Sequence, residues 1–289
     1  MRFRAGTALA IFLGAALPAP STASPPASGA TALVVCAPGY PGSTAEAESV
    51  MDAFAAAVAL AAGQPGGALS AEYHETEAGG LARLARADAG FLLAPLPFFL
   101  AHEAELRLVA RAQAVMQGGE ASEVFSLVAG KGTVSGPAAL GGWEIQSTVA
   151  YAPRFVRGPA LGGWGPLPAT TKLVFSGAVL SGLRRAAARE KVAVLLDRAQ
   201  AAGLASLPYA GDLVVLARSL PLPAFVVATV GGRVAPARAR QLVDALLALG
   251  SRPDGAAALA SLRLSRFVPL DGAGLQKARG AYAAAAATP

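Results

Sequence analysis

Short apolar runs alternate along the chain with alanine-rich segments whose larger apolar side chains recur at helical spacing. Residues 31–37 (TALVVCA) are apolar throughout, which is typical of a strand buried on both faces. Residues 45–62 follow, with Val50, Phe54 and Val58 on one stripe, which predicts a helix. The pattern continues with a strand at 68–75, a helix at 78–87 and a strand at 89–94. This alternation predicts an α/β fold with a mostly parallel sheet and flanking helices.

The pattern breaks near Glu123 and then starts again, which predicts a second lobe. A crossing strand at 123–129 opens this lobe, and Pro221–Pro223 mark the return to the first. Strands are predicted at 172–175, 192–196, 214–217 and 225–230. Helices are predicted at 179–190, 236–249, 254–262 and 275–287, and a loop is predicted at 153–168. We therefore expect lobe 1 to comprise 31–118 and 225–289, and lobe 2 to comprise 119–224.

The first 30 residues indicate export rather than folded structure. Arg2 and Arg4 precede a ten-residue apolar stretch at 8–17, and Ser21–Ala23 supply small residues for cleavage. We predict a signal peptide at 1–23, cleaved near Ala23, a Pro/Ser linker at 24–30, and a periplasmic or secreted protein. An uncleaved N-terminal anchor remains the alternative.

Composition and charge exclude several classes of protein. Hydrophobic residues make up 54% and charged residues 15%, which is incompatible with a disordered chain. The net charge of +6 is spread along the chain, so no nucleic-acid partner is expected. One cysteine and two histidines argue against a structural metal site, and Cys36 is expected to be a buried thiol.

Catalytic and cofactor motifs are missing from the sequence. It has no Gly-x-Ser-x-Gly elbow, and the loop at 38–42 has the wrong spacing for a dinucleotide. We therefore predict no cofactor and no enzymatic activity, although a carboxylate pair stays open as a catalytic option.

Four segments, in this order and spacing, resemble the phosphate/phosphonate-type branch of the type II periplasmic solute-binding proteins. They are Asp88–Phe98, Phe125–Ala129 followed by Leu140–Gly142, Ser219–Pro223, and Ala245–Leu247 through Arg266–Leu270. The resemblance implies two α/β lobes joined by two crossovers, with a ligand held in the cleft between them. It also implies a monomer that captures a small polar or anionic ligand for the permease of an ABC importer. The alternative is a bilobal sensor or interaction protein with a degenerate site, not coupled to transport.

The chain departs from the family pattern at the positions that would set ligand specificity. Phe98 replaces a tyrosine, Ala193 replaces an aspartate that can meet a ligand amine, and 149–154 lacks the family's Ser-Thr-Ser-Gly run. A phosphonate specificity therefore does not follow from the resemblance. Without the acid at 193, we expect an anion with no required ammonium group.

The expected ligand site lies where three strand-end loops converge on the cleft, because such loops open on one edge of an α/β sheet. The predicted ligand-binding residues are Tyr40, Ser43, Thr44, Pro95, Leu96, Phe98, Tyr151 and Arg154. Thr44 would offer donors at a helix start, and Arg154 would clamp the anion. The alternatives are ordinary turn and N-cap chemistry at 40–44, and a solvated surface arginine at 154.

Overall fold

The computed structural model describes residues 31–286, so the predicted signal peptide and linker lie outside the described residues. The first lobe begins with β1 (Thr31–Cys36), α1 (Thr44–Ala61), β2 (Leu69–His74), α2 (Glu77–Leu84), β3 (Ala89–Pro95), α3 (Leu96–His102) and β4 (Leu108–Met116). The chain then crosses through β5 (Ser122–Glu123) into the second lobe.

The second lobe consists of β6 (Ser126–Gly130), β7 (Glu144–Ser147), α4 (Pro153–Phe155) with a π-helical turn at Val156–Ala160, β8 (Lys172–Phe175), α5 (Val179–Ala187), β9 (Val192–Leu196), α6 (Arg198–Ala202) and β10 (Leu213–Arg218), with single 3₁₀ turns at Pro137–Leu140, Leu204–Ser206 and Ala210–Asp212. The return to the first lobe runs through β11 (Leu222–Pro223), β12 (Phe225–Val230), α7 (Pro236–Leu249), α8 (Pro253–Ser261), β13 (Leu264–Pro269) and α9 (Gly272–Ala284).

Each lobe is built on its own sheet. The first has the strand order β13-β4-β12-β3-β1-β2, and the second has the order β10-β6-β9-β7-β8. The two-stranded ladder β11-β5 lies at the crossing, where Leu222 is opposite Glu123. The two-lobed α/β architecture predicted from the sequence is therefore present. The lobe boundaries at 118/119 and 224/225 stay a prediction.

The sheets are mixed, which corrects the expectation of mostly parallel sheets. In the first lobe β1 is parallel to β2 and β3, but β12 is antiparallel to β3 and β4, and β13 is antiparallel to β4. In the second lobe β7 is parallel to β8 and β9, whereas β6 is antiparallel to β9 and β10. Each of these antiparallel ladders includes a strand at which the chain leaves or enters a lobe, namely β4 or β12 in the first lobe and β6 or β10 in the second.

One apolar core runs through both lobes. It includes Val34 and Phe98 from the first lobe and Val149, Phe155 and Leu195 from the second, all of them buried. A separate core lies on the other face of the first sheet, beneath α1, α7 and α8. The lobes therefore meet through packed side chains in this conformation.

The last helix, α9, also reaches the second lobe. It packs on the π-helical turn so closely that a Cβ on Gly158 would lie 2.5 Å from the Ala281 carbonyl oxygen. Among the described residues, no helix is long and apolar enough to cross a membrane.

Candidate functional site

The loop after β1 touches the turn after β7, so strand ends of the two lobes meet directly. Gly39 has φ +85°, and a Cβ there would lie 2.5 Å from the carbonyl oxygen of Thr148. Only glycine tolerates both this backbone conformation and this separation. The contact places the Tyr40 loop and the Tyr151 turn on the same cleft.

Tyr40 is largely buried beside this contact. Its ring meets Phe225 edge-on, with the ring centroids 4.9 Å apart. Burial raises the pKa of the Tyr40 hydroxyl, and the negative charges of Asp197 and Glu123 raise it further. Tyr40 therefore stays protonated and is available as a hydrogen-bond donor.

Tyr151 approaches from the second lobe, and its hydroxyl is buried with no hydrogen-bond partner in the described chain. Burial raises its pKa well above 10, and Tyr40, Cys36 and Glu77 act in the same direction, whereas the Phe98 backbone N–H, which is near the hydroxyl but outside hydrogen-bonding geometry, acts weakly against them. The structure therefore places Tyr40 and Tyr151 close enough for one to affect the pKa of the other, and their binding of a ligand stays a prediction. An unpaired buried hydroxyl is the kind of group that a ligand would satisfy.

Pro95, Leu96 and Phe98 do not lie in a loop, as was predicted. Pro95 is the last residue of β3, and α3 begins at Leu96 without a connecting segment. The sequence signal was misread because a proline near a helix start is favourable, its φ being fixed near the helical value. All three side chains are buried, and Leu96 and Phe98 belong to the apolar core that the two lobes share, on which Tyr151 packs.

Ser43 and Thr44 lie at the start of α1, with Ser43 rather than Thr44 as the N-cap. Ser43 and Glu46 form a reciprocal capping box. The backbone N–H and the hydroxyl of Thr44 both donate to Glu75 Oε2, at 2.9 and 2.6 Å. The carboxylate of Glu75 therefore occupies the anion position that was predicted for a ligand.

Arg154 is directed toward α9 in this conformation. Its Nε donates to the Tyr282 carbonyl oxygen at 2.7 Å, and its guanidinium lies 4.1 Å from the centre of the Tyr282 ring. These contacts provide the charge with both a hydrogen bond and a cation–π partner. Its role as an anion clamp stays a prediction, and would require it to leave Tyr282.

Two carboxylates near Tyr40 were missed by the sequence reasoning. Glu123 Oε1 accepts the backbone N–H groups of Val124 and Arg198, at 2.8 and 2.7 Å. Asp197 is the N-cap of α6, in a capping box with Gln200. Burial raises the pKa of both carboxyl groups. The Asp-x-x-Gln spacing after an apolar strand was the signal available for Asp197.

The described residues offer little for nucleophilic or metal chemistry. Burial raises the pKa of the Cys36 thiol to about 12, so its thiolate is scarce near neutral pH. Among residues 31–286, no three His, Cys, Asp or Glu side chains are grouped as metal ligands would be.

Comparison with known proteins connects this architecture to a family. Residues 171–275 match the sequence model described as "ABC transporter, phosphonate, periplasmic substrate-binding protein". No curated protein sequence matches the chain. The resemblance predicted from the sequence is confirmed over this segment, which covers β8 to the beginning of α9.

Solved structures confirm the fold. XAC2383 from Xanthomonas citri, bound to chloride ion, superimposes with a TM-score of 0.68 at 14% identity, over 89% of this chain and 99% of that one. A phosphonate transporter binding protein (PA3383) from Pseudomonas aeruginosa gives 0.58 at 14% identity, over 89% and 87%. PhnD1 from Prochlorococcus marinus, in complex with methylphosphonate, gives 0.55 at 12% identity, over 85% and 95%. The shared fold is the two-lobed periplasmic binding fold.

Proposed function

We propose that this chain captures a small solute between its lobes. The proposal is supported by a sequence pattern and a two-lobed fold that are similar to those of the periplasmic substrate-binding proteins of phosphonate ABC transporters. It acts as a monomer, carries out no chemistry, and delivers its ligand to a permease in the membrane. Export follows from residues 1–23, with cleavage near Ala23.

The observation that carries this function is the apposition of Tyr40 and Tyr151 across the contact between Gly39 and Thr148. The two hydroxyls come from different lobes, and Tyr151 packs on the apolar core that the lobes share. A solute that accepts a hydrogen bond from each hydroxyl would hold the two lobes closed.

The charges near the tyrosines bear on the ligand class. Asp197 and Glu123 act on Tyr40, and Glu77 acts on Tyr151. Burial disfavours the ionised forms of Asp197 and Glu123. A ligand ammonium group would stabilise these carboxylates, whereas a ligand anion would repel them. We therefore propose a polar solute that is neutral or carries an ammonium group, in place of the anion expected from the sequence.

A thermal-unfolding panel tests this proposal. It should contain methylphosphonate, phosphate, chloride and ATP beside neutral and ammonium-bearing solutes of similar size. A captured solute at 100 times its dissociation constant should stabilise the protein by about 2.7 kcal/mol. Tyr151→Phe should weaken that solute about tenfold, because one hydrogen bond is lost, whereas Tyr209→Phe, remote in the second lobe, should not. Stabilisation by the anions alone would contradict the proposed ligand class.

A second candidate is the sensor or interaction protein, which is favoured by the continuous apolar core between the lobes. Phe98, Val149 and Phe155 belong to one buried cluster without any ligand. In such a protein the lobes would stay closed at all times. Small-angle scattering distinguishes the two functions, because a solute-capturing protein changes its radius of gyration on binding and a permanently closed one does not.

A further inference from the structure

A cavity lies in the first lobe, and Tyr40 is among the residues that line it. Apolar side chains at the ends of five strands line it, it is partly open to solvent, and its volume is about 90 Å³. The side chains that matter most here are Val35, Ala37, Leu93, Met116, Phe225 and Leu264. These belong to, or pack on, the core beneath α1 and α8, which is separate from the core shared by the two lobes.

The cavity continues into an outer groove of about 250 Å³. Pro41, Tyr73, Leu262 and Arg263 line both spaces, so the two are adjacent. The groove differs from the inner cavity in being partly polar, since Ser43 and Glu46 also line it. An apolar chamber with a polar mouth suits a ligand that has an apolar body and one charged end.

Arg263 provides the positive charge at this mouth. It is exposed, and its side chain has no hydrogen bond or ion pair within residues 31–286. It follows the end of α8 with φ +56°, a backbone conformation where glycine is the usual residue. A non-glycine residue in this conformation is disfavoured, so the chain retains a strained arginine at a position that borders both spaces.

Glu46 limits the charge of the ligand. Its Oε2 accepts from the backbone N–H and the hydroxyl of Ser43, at 3.1 and 2.8 Å, so the carboxylate is fixed at the start of α1. A second ligand carboxylate in the groove would approach this negative charge. The groove therefore accommodates one anionic group opposite Arg263, but not two.

We propose that this cavity binds a small branched aliphatic monocarboxylate, with its alkyl group inside and its carboxylate on Arg263. An apolar cavity of about 150 Å³ holds a benzene molecule, so the smaller chamber here fits a branched alkyl group of about four carbons. The family match and Tyr151 do not enter this argument, although Tyr40 lines this cavity as well. The variants below therefore test the two sites separately.

Calorimetric titration with isovalerate tests the proposal on the full mature chain. Binding with a dissociation constant of about 1 mM or below is expected. Isovaleramide, which has the same shape without the charge, and acetate, which lacks the alkyl group, should each bind about tenfold more weakly or not at all. No heat of binding with isovalerate, or equal affinity for acetate, would overturn the proposal.

Two glycine variants separate the charge from the fold. Arg263→Gly removes the guanidinium and relieves the strained backbone, so the protein should fold at least as well and bind isovalerate about tenfold more weakly. Arg189→Gly is the matched control, because Arg189 also has positive φ (62°) but lies in the second lobe. Unchanged isovalerate affinity in Arg263→Gly would refute the assigned role of Arg263.

A third variant locates the alkyl group. Leu262 is half-buried and lines both spaces, so Leu262→Trp should block the chamber and abolish isovalerate binding. Tyr151→Phe should bind isovalerate as the unmodified chain does, because Tyr151 belongs to the other site. If Tyr151→Phe loses isovalerate and Leu262→Trp keeps it, the ligand lies between the lobes and the cavity proposal is wrong.

Discussion

The hydroxyl of Tyr151 is a buried polar group without a partner, and this makes its energetic role testable. Such a group costs about 1–3 kcal/mol of desolvation that no hydrogen bond returns. We predict that Tyr151→Phe raises the free energy of unfolding of the ligand-free protein by about 1 kcal/mol. Urea denaturation at neutral pH provides the measurement.

Tyr209→Phe is the control for this prediction, because the Tyr209 hydroxyl is in the same lobe and donates to the Leu180 carbonyl oxygen at 3.4 Å. It should leave stability unchanged or slightly lower. A loss of stability in Tyr151→Phe would show that its hydroxyl already has a satisfying partner.

Residue positions were easier to predict than residue partners. Tyr40 and Tyr151 could be placed on one cleft because each follows a strand, and strand order follows from the apolar pattern. The contacts of Thr44 with Glu75 and of Arg154 with Tyr282 span 31 and 128 residues. No local pattern encodes such pairs, so the sequence could not show that both groups are already engaged.

At the scale of elements, Glu123 connects the crossing strand β5 to the start of α6. Its carboxylate accepts from the Arg198 backbone N–H, and burial raises its pKa above the usual 4.5. A raised carboxyl pKa means that the folded state holds the proton longer than the unfolded state. The free energy of unfolding therefore falls as the pH rises from 4.5 through the folded-state pKa, and stays lower above it.

Glu123→Gln should remove this pH-dependent loss of stability. The glutamine side chain keeps an oxygen that accepts the backbone N–H groups of Val124 and Arg198. We predict that the variant gains stability relative to the unmodified chain as the pH rises above 4.5, and that the two converge below it. Denaturation at several pH values between about 4 and 8 measures the difference.

Glu75→Gln gives a contrast of opposite sign. The Thr44 hydroxyl lowers the pKa of Glu75, so its ionised form adds stability that is present above pH 4.5 and is lost as the pH falls through the folded-state pKa. Glu75→Gln should therefore be less stable than the unmodified chain at neutral pH. Equal pH profiles for the two variants would contradict the opposite environments assigned to these carboxylates.

Elements with a strong pattern were predicted and those without one were missed. β1, α1 and α7 were expected close to their observed bounds, because each combines a continuous or periodic apolar pattern with clear end signals. β4 and β13 were missed, since charged side chains such as Arg111 and Arg266 interrupt their apolar runs. These strands form because β4 pairs with β12 and β13 pairs with β4. Such pairing between distant segments is not visible in the local sequence pattern.

At the scale of the whole molecule, closure depends on the absence of a side chain at Gly39. Alanine at this position would place its Cβ 2.5 Å from the Thr148 carbonyl oxygen in the other lobe. It would also adopt a left-handed backbone conformation, at a cost of about 1–2 kcal/mol for a residue with a Cβ. Alanine at Gly42 would have the same backbone cost, because φ there is +113°. It would not make a close contact, because its Cβ would come no closer than 3.8 Å to Tyr73.

Comparing Gly39→Ala with Gly42→Ala therefore isolates the contact between the lobes. Both variants should lose stability through the backbone term, but only Gly39→Ala should separate the strand ends and enlarge the radius of gyration measured by small-angle scattering. Ligand affinity should fall with it, because Tyr40 and Tyr151 then face a wider cleft. An equal radius of gyration in the two variants would show that the lobes remain together without the Gly39 contact, held by the apolar core that includes Phe98 and Phe155.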